Sequence, residues 1–373
     1  MVGTSVRKAV VVEFIGAAAL TIAASLAGGF APSPAAAQDV DRRPDVVVDG
    51  AATRAAIETL LRRIDEDYPV PEIGRRTVRT LRARLRSGAY DGMTSARAFS
   101  EALTRDLREA SGDRHFTVEY FVVPRQFPEA AAAAGPQPAS QLPFRLSAGA
   151  NFGFVRVERL AGNIGYLRLD RFAPTAEAGE TAAAAMQFLA SSDALIIDLR
   201  ENRGGHADMI ALLASYLVRE PSLLSEIRSR TELKQLWTAA FVPGRRYLER
   251  PVYVLTSSNT FSAAEGLAYD LQALGRVKVV GEITAGGANP ISRVLLSERF
   301  GASIPAAQAR NPITGTNWQG VGVQPDVRTP AAEALDTAHL LAVRAIAPAH
   351  TDDGLTAELR ETEARLAAGS APR

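Results

Sequence analysis

The segment that most constrains the fold is Val252–Asp270, which reads VYVLTSSNTFSAAEGLAYD. Its first residues are typical of a buried strand, a polar turn follows, and a helix is predicted to begin directly after Ser262. The first N–H groups of a helix have no partner within the helix, and they stabilise negative charge. A serine at this position is either a helix cap or a nucleophile whose oxyanion is stabilised nearby. The spacing of Ser262 and Glu265 is that of a capping box, so taken alone it favours the cap.

A glycine-rich turn provides a second candidate segment. The apolar run Ala194–Leu199 is typical of a buried parallel strand, and the segment Asp198–Gly205 that follows ends in Gly204 and Gly205. Glycines let backbone N–H groups approach an anion closely. The segment is therefore either one arm of an oxyanion hole or an ordinary turn between a strand and a helix.

Histidine is the usual general base for a serine nucleophile because its pKa is near neutral. The chain has four histidines. His115 lies where a helical region is predicted to end, after Gly112 and Asp113, and His206, which follows the glycine pair, is its competitor. His339 and His350 lie on or after a predicted terminal helix, which favours solvated positions.

The composition excludes several kinds of chemistry. The 373 residues contain no cysteine, which excludes disulfides, thiolate nucleophiles, zinc–thiolate sites and iron–sulfur clusters. No cluster of His, Asp and Glu has the spacing of metal ligands, so neither a metal nor a cofactor is predicted. The net charge of +1 gives no global field for nucleic acid. The lysines are Lys8, Lys234 and Lys278.

The N-terminus has the pattern of a secretory signal. Arg7 and Lys8 precede the apolar run Phe14–Phe30, and small residues end at Ala37. An uncleaved membrane anchor is the alternative. No later segment is long and apolar enough to span a bilayer, so we expect an exported mature chain without a membrane span, periplasmic in a diderm bacterium.

The chain divides into four predicted parts. Apolar stripes predict helices before the core, and the core begins with a strand and a hairpin and continues as alternating helices and strands. The parts are a signal peptide (1–37), a helical subdomain (48–111), an α/β core (112–330) with a low-complexity loop (128–143), and a C-terminal helical segment (331–368).

The chain resembles serine peptidases of the C-terminal-processing and tricorn-core superfamily, in the branch similar to domains of interphotoreceptor retinoid-binding protein. The resemblance implies a crotonase/Clp-protease-like ββα core, and the short span Glu119–Asn163 fits no PDZ domain. The matching segments, in chain order, are Gly112–His115, Ile164–Leu169, Asp198–Gly205, Thr256–Asp270, Val280–Asn289 and Asn311–Asp326.

The resemblance also implies roles for single residues. Ser262 would be the nucleophile, and the backbone N–H groups of Ala263 and of Gly204 or Gly205 would form the oxyanion hole. Tail-specific members use a lysine in the turn that here reads Thr284–Ala288 and holds none. Tricorn-type members use a histidine from the segment that matches Gly112–His115, so His115 is the predicted base.

The third catalytic position departs from the pattern, which often has a glutamate just before the Gly-Val-Gly-Val stretch. This chain has Gln319 there. An amide can orient an imidazole through a hydrogen bond but cannot stabilise imidazolium by charge. Gln319 is the predicted third residue, and Asp113 is the alternative orienting residue.

The sequence thus predicts an exported serine peptidase with a peptide or protein substrate. The alternative is a non-catalytic carrier of apolar ligands of the retinoid or fatty-acid type, which the retinoid-binding resemblance implies and Gln319 favours. A crotonase-like acyl-CoA enzyme would share the core architecture, but export separates the protein from coenzyme A and leaves Ser262 without a role.

Overall fold

The computed structural model describes residues 44–125, 147–351 and 354–369. The predicted signal peptide (1–37) and the low-complexity loop (128–143) lie outside the described residues. Within them, the predicted α/β fold with an N-terminal helical region is confirmed, and no PDZ domain is present in this part of the chain.

Three helices come first: α1 (Gly50–Asp67), α2 (Pro71–Arg86) and α3 (Ala96–Ser111). Their apolar stripes pack together with strands of a small sheet into a core that includes Leu60, Leu81, Phe99 and Phe300. Local signals set the helix ends. Ser95 caps α3 by accepting a hydrogen bond from the Ala98 N–H, and Gly112 ends the helix with a φ of 75°.

The described residues contain twelve strands in three sheets. In chain order the strands are β1 (Thr117–Tyr120), β2 (Phe154–Leu160), β3 (Ile164–Leu169), β4 (Ala194–Asp198), β5 (Leu223–Ser229), β6 (Leu233–Trp237), β7 (Val252–Thr256), β8 (Lys278–Gly281), β9 (Ile291–Leu295), β10 (Phe300–Pro305), β11 (Ala307–Arg310) and β12 (Val327–Arg328).

The central sheet has the strand order β12-β8-β7-β4-β3-β2. All neighbours are parallel except β2 and β3, which form the predicted antiparallel hairpin. Every residue of β4 and β7 is buried, because helices cover both faces of this sheet. The two smaller sheets are antiparallel, with the orders β1-β10-β9 and β11-β5-β6.

Five further helices surround the central sheet. They are α4 (Thr175–Leu189), α5 (Ala207–Leu217), α6 (Ala263–Ala273), α7 (Ala334–Ile346) and α8 (Thr356–Gly369). Helices α4, α5 and α6 share one core with alternate residues of the parallel strands, such as Leu195 and Ile197. Helices α7 and α8 share a second core with the intervening residues, such as Ile196. The carboxyl ends of β4 and β7 therefore lie side by side and lead into α5 and α6.

Candidate active site

Ser262 lies on a strained turn between β7 and α6. Its backbone has φ 57° and ψ −123°, a region that side-chain-bearing residues rarely occupy and that costs on the order of 1–3 kcal/mol. Backbone hydrogen bonds hold the turn: the Phe261 N–H donates to Asn202 O at 3.0 Å, and the Ser262 N–H donates to Glu265 Oε2 at 2.7 Å. A positive-φ serine between a strand and a helix is the geometry that exposes a nucleophilic hydroxyl.

The Ser262 hydroxyl meets the imidazole of His115, which lies 147 residues away in sequence. The Oγ to Nε2 distance is 3.0 Å, within hydrogen-bond range. The ring of His115 is buried and packs against the ring of Phe261, with 4.4 Å between centroids. The structure thus brings together the two residues that the sequence predicts as nucleophile and base.

The other histidines lie elsewhere. His206 is exposed at the start of α5, His339 Nε2 lies 2.8 Å from Ala161 O, and His350 Nε2 lies 3.6 Å from Asp193. Within the described part of the chain, His115 is the histidine that contacts Ser262.

The end of α3 positions His115. The side chain of Ser111 accepts the Asp113 N–H, and Asp113 Oδ1 accepts the His115 N–H at 3.0 Å. The same Asp113 oxygen lies 3.3 Å from His115 Nδ1. This contact is outside hydrogen-bond geometry, and Nδ1 is buried without a hydrogen-bond partner among the described residues.

Asp113 is a fully buried carboxylate beside the histidine. Its other oxygen, Oδ2, accepts hydrogen bonds from Asn289 Nδ2 at 2.7 Å and from the Tyr68 hydroxyl at 3.3 Å. Burial alone would raise the pKa of Asp113, but its contacts with His115 and Asn289 outweigh burial and hold that pKa below its usual value. Asp113 is therefore an ionised group placed to stabilise a protonated His115.

Gln319 has different partners from those expected of a histidine-orienting residue. Its Oε1 accepts the Ala288 N–H at 2.7 Å, and its own N–H donates to Asn317. No hydrogen bond joins Gln319 to His115 among the described residues. The carboxyl group beside the imidazole belongs to Asp113, the alternative that the sequence left open.

Glu265 ties the nucleophile turn to the turn after β8. Its buried carboxylate accepts the Ser262 N–H, the Thr284 hydroxyl at 2.5 Å, and the N–H groups of Gly286 and Gly287 at 2.7 and 2.9 Å. Burial raises the pKa of Glu265, and these hydrogen bonds offset the rise only in part. The sequence predicts a capping-box role for Glu265, but its carboxylate also binds the turn after β8, outside the helix start that it would cap.

Gly287 leaves the space that His115 occupies. A Cβ atom built on Gly287 would lie 2.1 Å from the Phe261 ring and 2.7 Å from His115 Cε1. Gly287 belongs to the turn that, by the resemblance, carries a lysine in tail-specific peptidases. In this chain the imidazole of His115 packs against that turn. Lys234 and Lys278 are exposed on β6 and β8, and Lys8 lies outside the described residues.

The candidate oxyanion donors are not equivalent. Gly204 lies so close to the nucleophile that a Cβ atom there would be 2.9 Å from Ser262 Cβ, but its N–H donates to Asn202 Oδ1 at 2.7 Å. The N–H groups of Gly205 and Ala263 have no hydrogen-bond acceptor within the described residues. Of the three candidates, Gly205 and Ala263 therefore have an N–H group available to a ligand, whereas the N–H group of Gly204 is already bonded within the turn.

Two findings on the described residues concern metals and membranes. No group of three or more potential metal ligands occurs among residues 44–125, 147–351 and 354–369. In the same ranges, none of the helices has the length and apolar character needed to cross a bilayer.

Comparisons with known proteins find matches to both the helical region and the α/β core. A family model described as peptidase family S41 matches residues 163–329. A second model, described as the N-terminal domain of peptidase S41 in eukaryotic IRBP, matches residues 45–146. The two matches cover the segments that hold Ser262 and His115.

Individual relatives match over part of their length. A carboxyl-terminal-processing protease of Synechocystis sp. is 31% identical over 166 residues, which are 44% of this chain and 37% of the relative. A carboxy-terminal-processing protease of Bartonella bacilliformis is 29% identical over 173 residues, or 45% of this chain and 39% of the relative. The chain thus spans about two fifths of the length of these curated relatives.

A solved structure of a candidate peptidase from Parabacteroides merdae has the same fold. It matches with a TM-score of 0.51 at 20% identity, over 74% of this chain and 90% of that chain. Two models for peptidase family S41 thus match the helical region and the α/β core, and in both parts the chain is similar to that family.

Proposed function

We propose that the protein is a serine peptidase in which Ser262 is the nucleophile and His115 the general base. The observation that carries this proposal is the 3.0 Å contact between Ser262 Oγ and His115 Nε2 at a strained, positive-φ turn. A helix cap needs neither this backbone conformation nor a histidine at the hydroxyl. The alternative of a carrier for apolar ligands gains no support from this polar arrangement.

In the proposed reaction, His115 Nε2 takes the hydroxyl proton while Ser262 Oγ attacks the carbonyl carbon of a peptide bond. The N–H groups of Gly205 and Ala263 stabilise the oxyanion of the tetrahedral intermediate. The intermediate collapses, and the C–N bond breaks as protonated His115 gives its proton to the leaving amine. Water, deprotonated by His115, then hydrolyses the acyl-enzyme and restores Ser262.

Asp113 is the proposed third residue. It is ionised, buried and 3.3 Å from His115 Nδ1, so it compensates the charge of the imidazolium that forms during both half-reactions. Gln319 supports the turn beneath the histidine through its bond to Ala288. A carboxylate is thus present at the imidazole although the usual glutamate position holds an amide.

The substrate is proposed to be a peptide or protein, since the curated relatives are named carboxyl-terminal-processing and carboxy-terminal-processing proteases. Export through the signal-like segment 1–37 would place the activity in the periplasm of a diderm bacterium.

A fluorophosphonate probe tests the nucleophile and the base together. Wild-type protein should be labelled covalently, Ser262→Ala should not be labelled, and His115→Ala should be labelled at least about 100-fold more slowly. His206→Ala is the matched control and should be labelled like the wild type. Folded wild-type protein that fails to react with the probe would overturn the proposal.

A further inference from the structure

The second helix carries a row of arginines that the active site does not use. Helix α2 has six arginines and one acidic residue, Glu72, although the whole chain has a net charge of only +1. Its buried side packs into the helical core, and four exposed arginines lie on the opposite side. They are spaced by four, three and four residues, which places them on one face. This arginine stripe consists of Arg75, Arg79, Arg82 and Arg86.

The stripe has no partner within the described part of the chain. Arg84, on the flank of the helix, forms ion pairs with Asp106 and Glu109 of α3, and acidic residues at the end of α1 pair with Arg63. No carboxylate of the described residues lies within 4.0 Å of the stripe arginines. Like charges spaced by four residues destabilise a helix, so the uncompensated stripe carries a stability cost in the isolated protein.

We propose that the arginine stripe docks the protein on a membrane surface that contains anionic phospholipids. Guanidinium groups bind phosphate with two parallel hydrogen bonds, and a cluster of basic residues on a surface helix is attracted to anionic lipid. The stripe extends over roughly 16 Å along a straight helix, so its four side chains can reach a flat surface together.

The position of the helix in the chain favours a membrane over other anionic partners. The predicted signal segment, with its apolar run Phe14–Phe30, would bring the chain to a membrane during export or hold it there as an anchor. Helix α2 contains no aromatic residue, and aromatic side chains are the groups on which nucleic-acid bases stack.

The test compares two variants of the full chain with equal net charge. In the stripe variant, Arg75, Arg79, Arg82 and Arg86 are all changed to Gln, which keeps helix propensity. In the control variant, four exposed arginines elsewhere, Arg293, Arg328, Arg360 and Arg365, are changed to Gln. Binding is measured by co-sedimentation with phosphatidylcholine vesicles that contain no anionic lipid or about 30% phosphatidylglycerol. Equal melting temperatures establish that both variants fold.

We expect the stripe variant to bind the anionic vesicles at least tenfold more weakly than the wild type, and the control variant to remain within twofold. The difference should disappear at about 0.5 M salt, where charges are screened. Equal losses in the two variants would show a net-charge effect and overturn the proposal. Equal binding of all proteins to both kinds of vesicle would also overturn it, as would tighter binding of the stripe to duplex DNA than to the vesicles.

Discussion

The two halves of the candidate active site are built in different ways. On the nucleophile side, β7, the turn and α6 follow one another within Val252–Ala273, and the turn is held by its own backbone N–H groups, since Phe261 N–H donates to Asn202 O and Ser262 N–H to the Glu265 carboxylate. On the base side, His115 depends on side chains from distant segments. Tyr68 and Asn289 both bond to Asp113, across 45 and 176 residues. The nucleophile is therefore set by local backbone geometry, and the base is set by tertiary packing.

Two buried aspartates, one on the base side and one on the nucleophile helix, have pKa values shifted in opposite directions. Asp113, on the base side, has a lowered pKa because its contacts with His115 and Asn289 outweigh burial. Asp270, on the nucleophile helix, accepts hydrogen bonds only from neutral groups, Ser225 and Asn311, and burial raises its pKa to about 7. Burial alone thus favours the neutral acid, and the nearby imidazole is what keeps Asp113 ionised.

The largest expected effect on the labelling rate comes from removing the negative charge on the base side. Asp113→Asn keeps the size of the side chain but removes the charge beside His115, so the rate of probe labelling should fall by about 10²–10⁴. Gln319→Ala, which removes only the hydrogen bond to Ala288, should reduce labelling by less than about tenfold. Labelling rates measured across pH compare the two variants.

The opposite ranking would assign the third catalytic role to Gln319. Gln319→Glu sharpens the test, since it keeps an acceptor for the Ala288 N–H and restores the carboxylate that the family pattern often has. If Asp113 already serves His115, this substitution should leave labelling within about threefold of the wild type.

A smaller loss of labelling rate is expected when a side chain at position 287 fills the space that His115 occupies. Gly287→Ala places a methyl group against the Phe261 ring and His115, which must move by about 1 Å, and such misplacement costs about 100-fold in rate. Gly320→Ala is the control, because a Cβ atom at Gly320 meets no atom within 4 Å, although its φ of 75° adds some strain. Labelling at a normal rate in Gly287→Ala would show that the base side can rearrange.

The difference between local and tertiary contacts also decides which features the sequence could predict. The strand β7, the start of α6 and the β2–β3 hairpin were predictable because each follows from adjacent residues. The hydrogen-bond partners of Asp113 were not predictable in the same way, because Tyr68 and Asn289 meet Asp113 only in the folded chain. The choice between Gly204 and Gly205 also needed the structure, since it depends on a hydrogen bond to Asn202.

Apart from β1, the strands of the small antiparallel sheets were not predicted, for a different reason. Their strands are short, and several are half-exposed, so apolar and polar residues do not alternate clearly. Every residue of β6 except Leu236 is exposed, and β5 carries Ser, Glu and Arg residues. Pattern-based prediction depends on one buried face, which β6 lacks and β5 has only in part. The boundaries proposed for the domains remain predictions.

Asp270 gives a pH-dependent test of the contrast between the aspartates. With a folded pKa of about 7 and an unfolded value of about 3.9, the folded protein holds an extra proton between about pH 4 and pH 7. Stability therefore falls as the pH rises through this window, by on the order of 4 kcal/mol. Asp270→Asn should remove most of this fall in urea unfolding. Asp113 acts in the opposite direction: because its pKa is lowered in the folded protein, the wild type loses stability as the pH falls through that pKa. Asp113→Asn should remove this acid-side loss.

The smallest expected effect is the release of backbone strain on the nucleophile side. Ser262→Gly and Ser262→Ala both remove the hydroxyl, but only glycine is comfortable at a φ of 57°. The glycine variant should therefore unfold with a free energy about 1 kcal/mol above that of the alanine variant, measured by urea denaturation. Ser87, with φ −80°, is the control, and there glycine should be the less stable of the two. Equal stabilities of the two Ser262 variants, with the expected difference at Ser87, would mean that the turn relaxes when the hydroxyl is lost, so that the contact with His115, and not the backbone, holds Ser262 in its strained conformation.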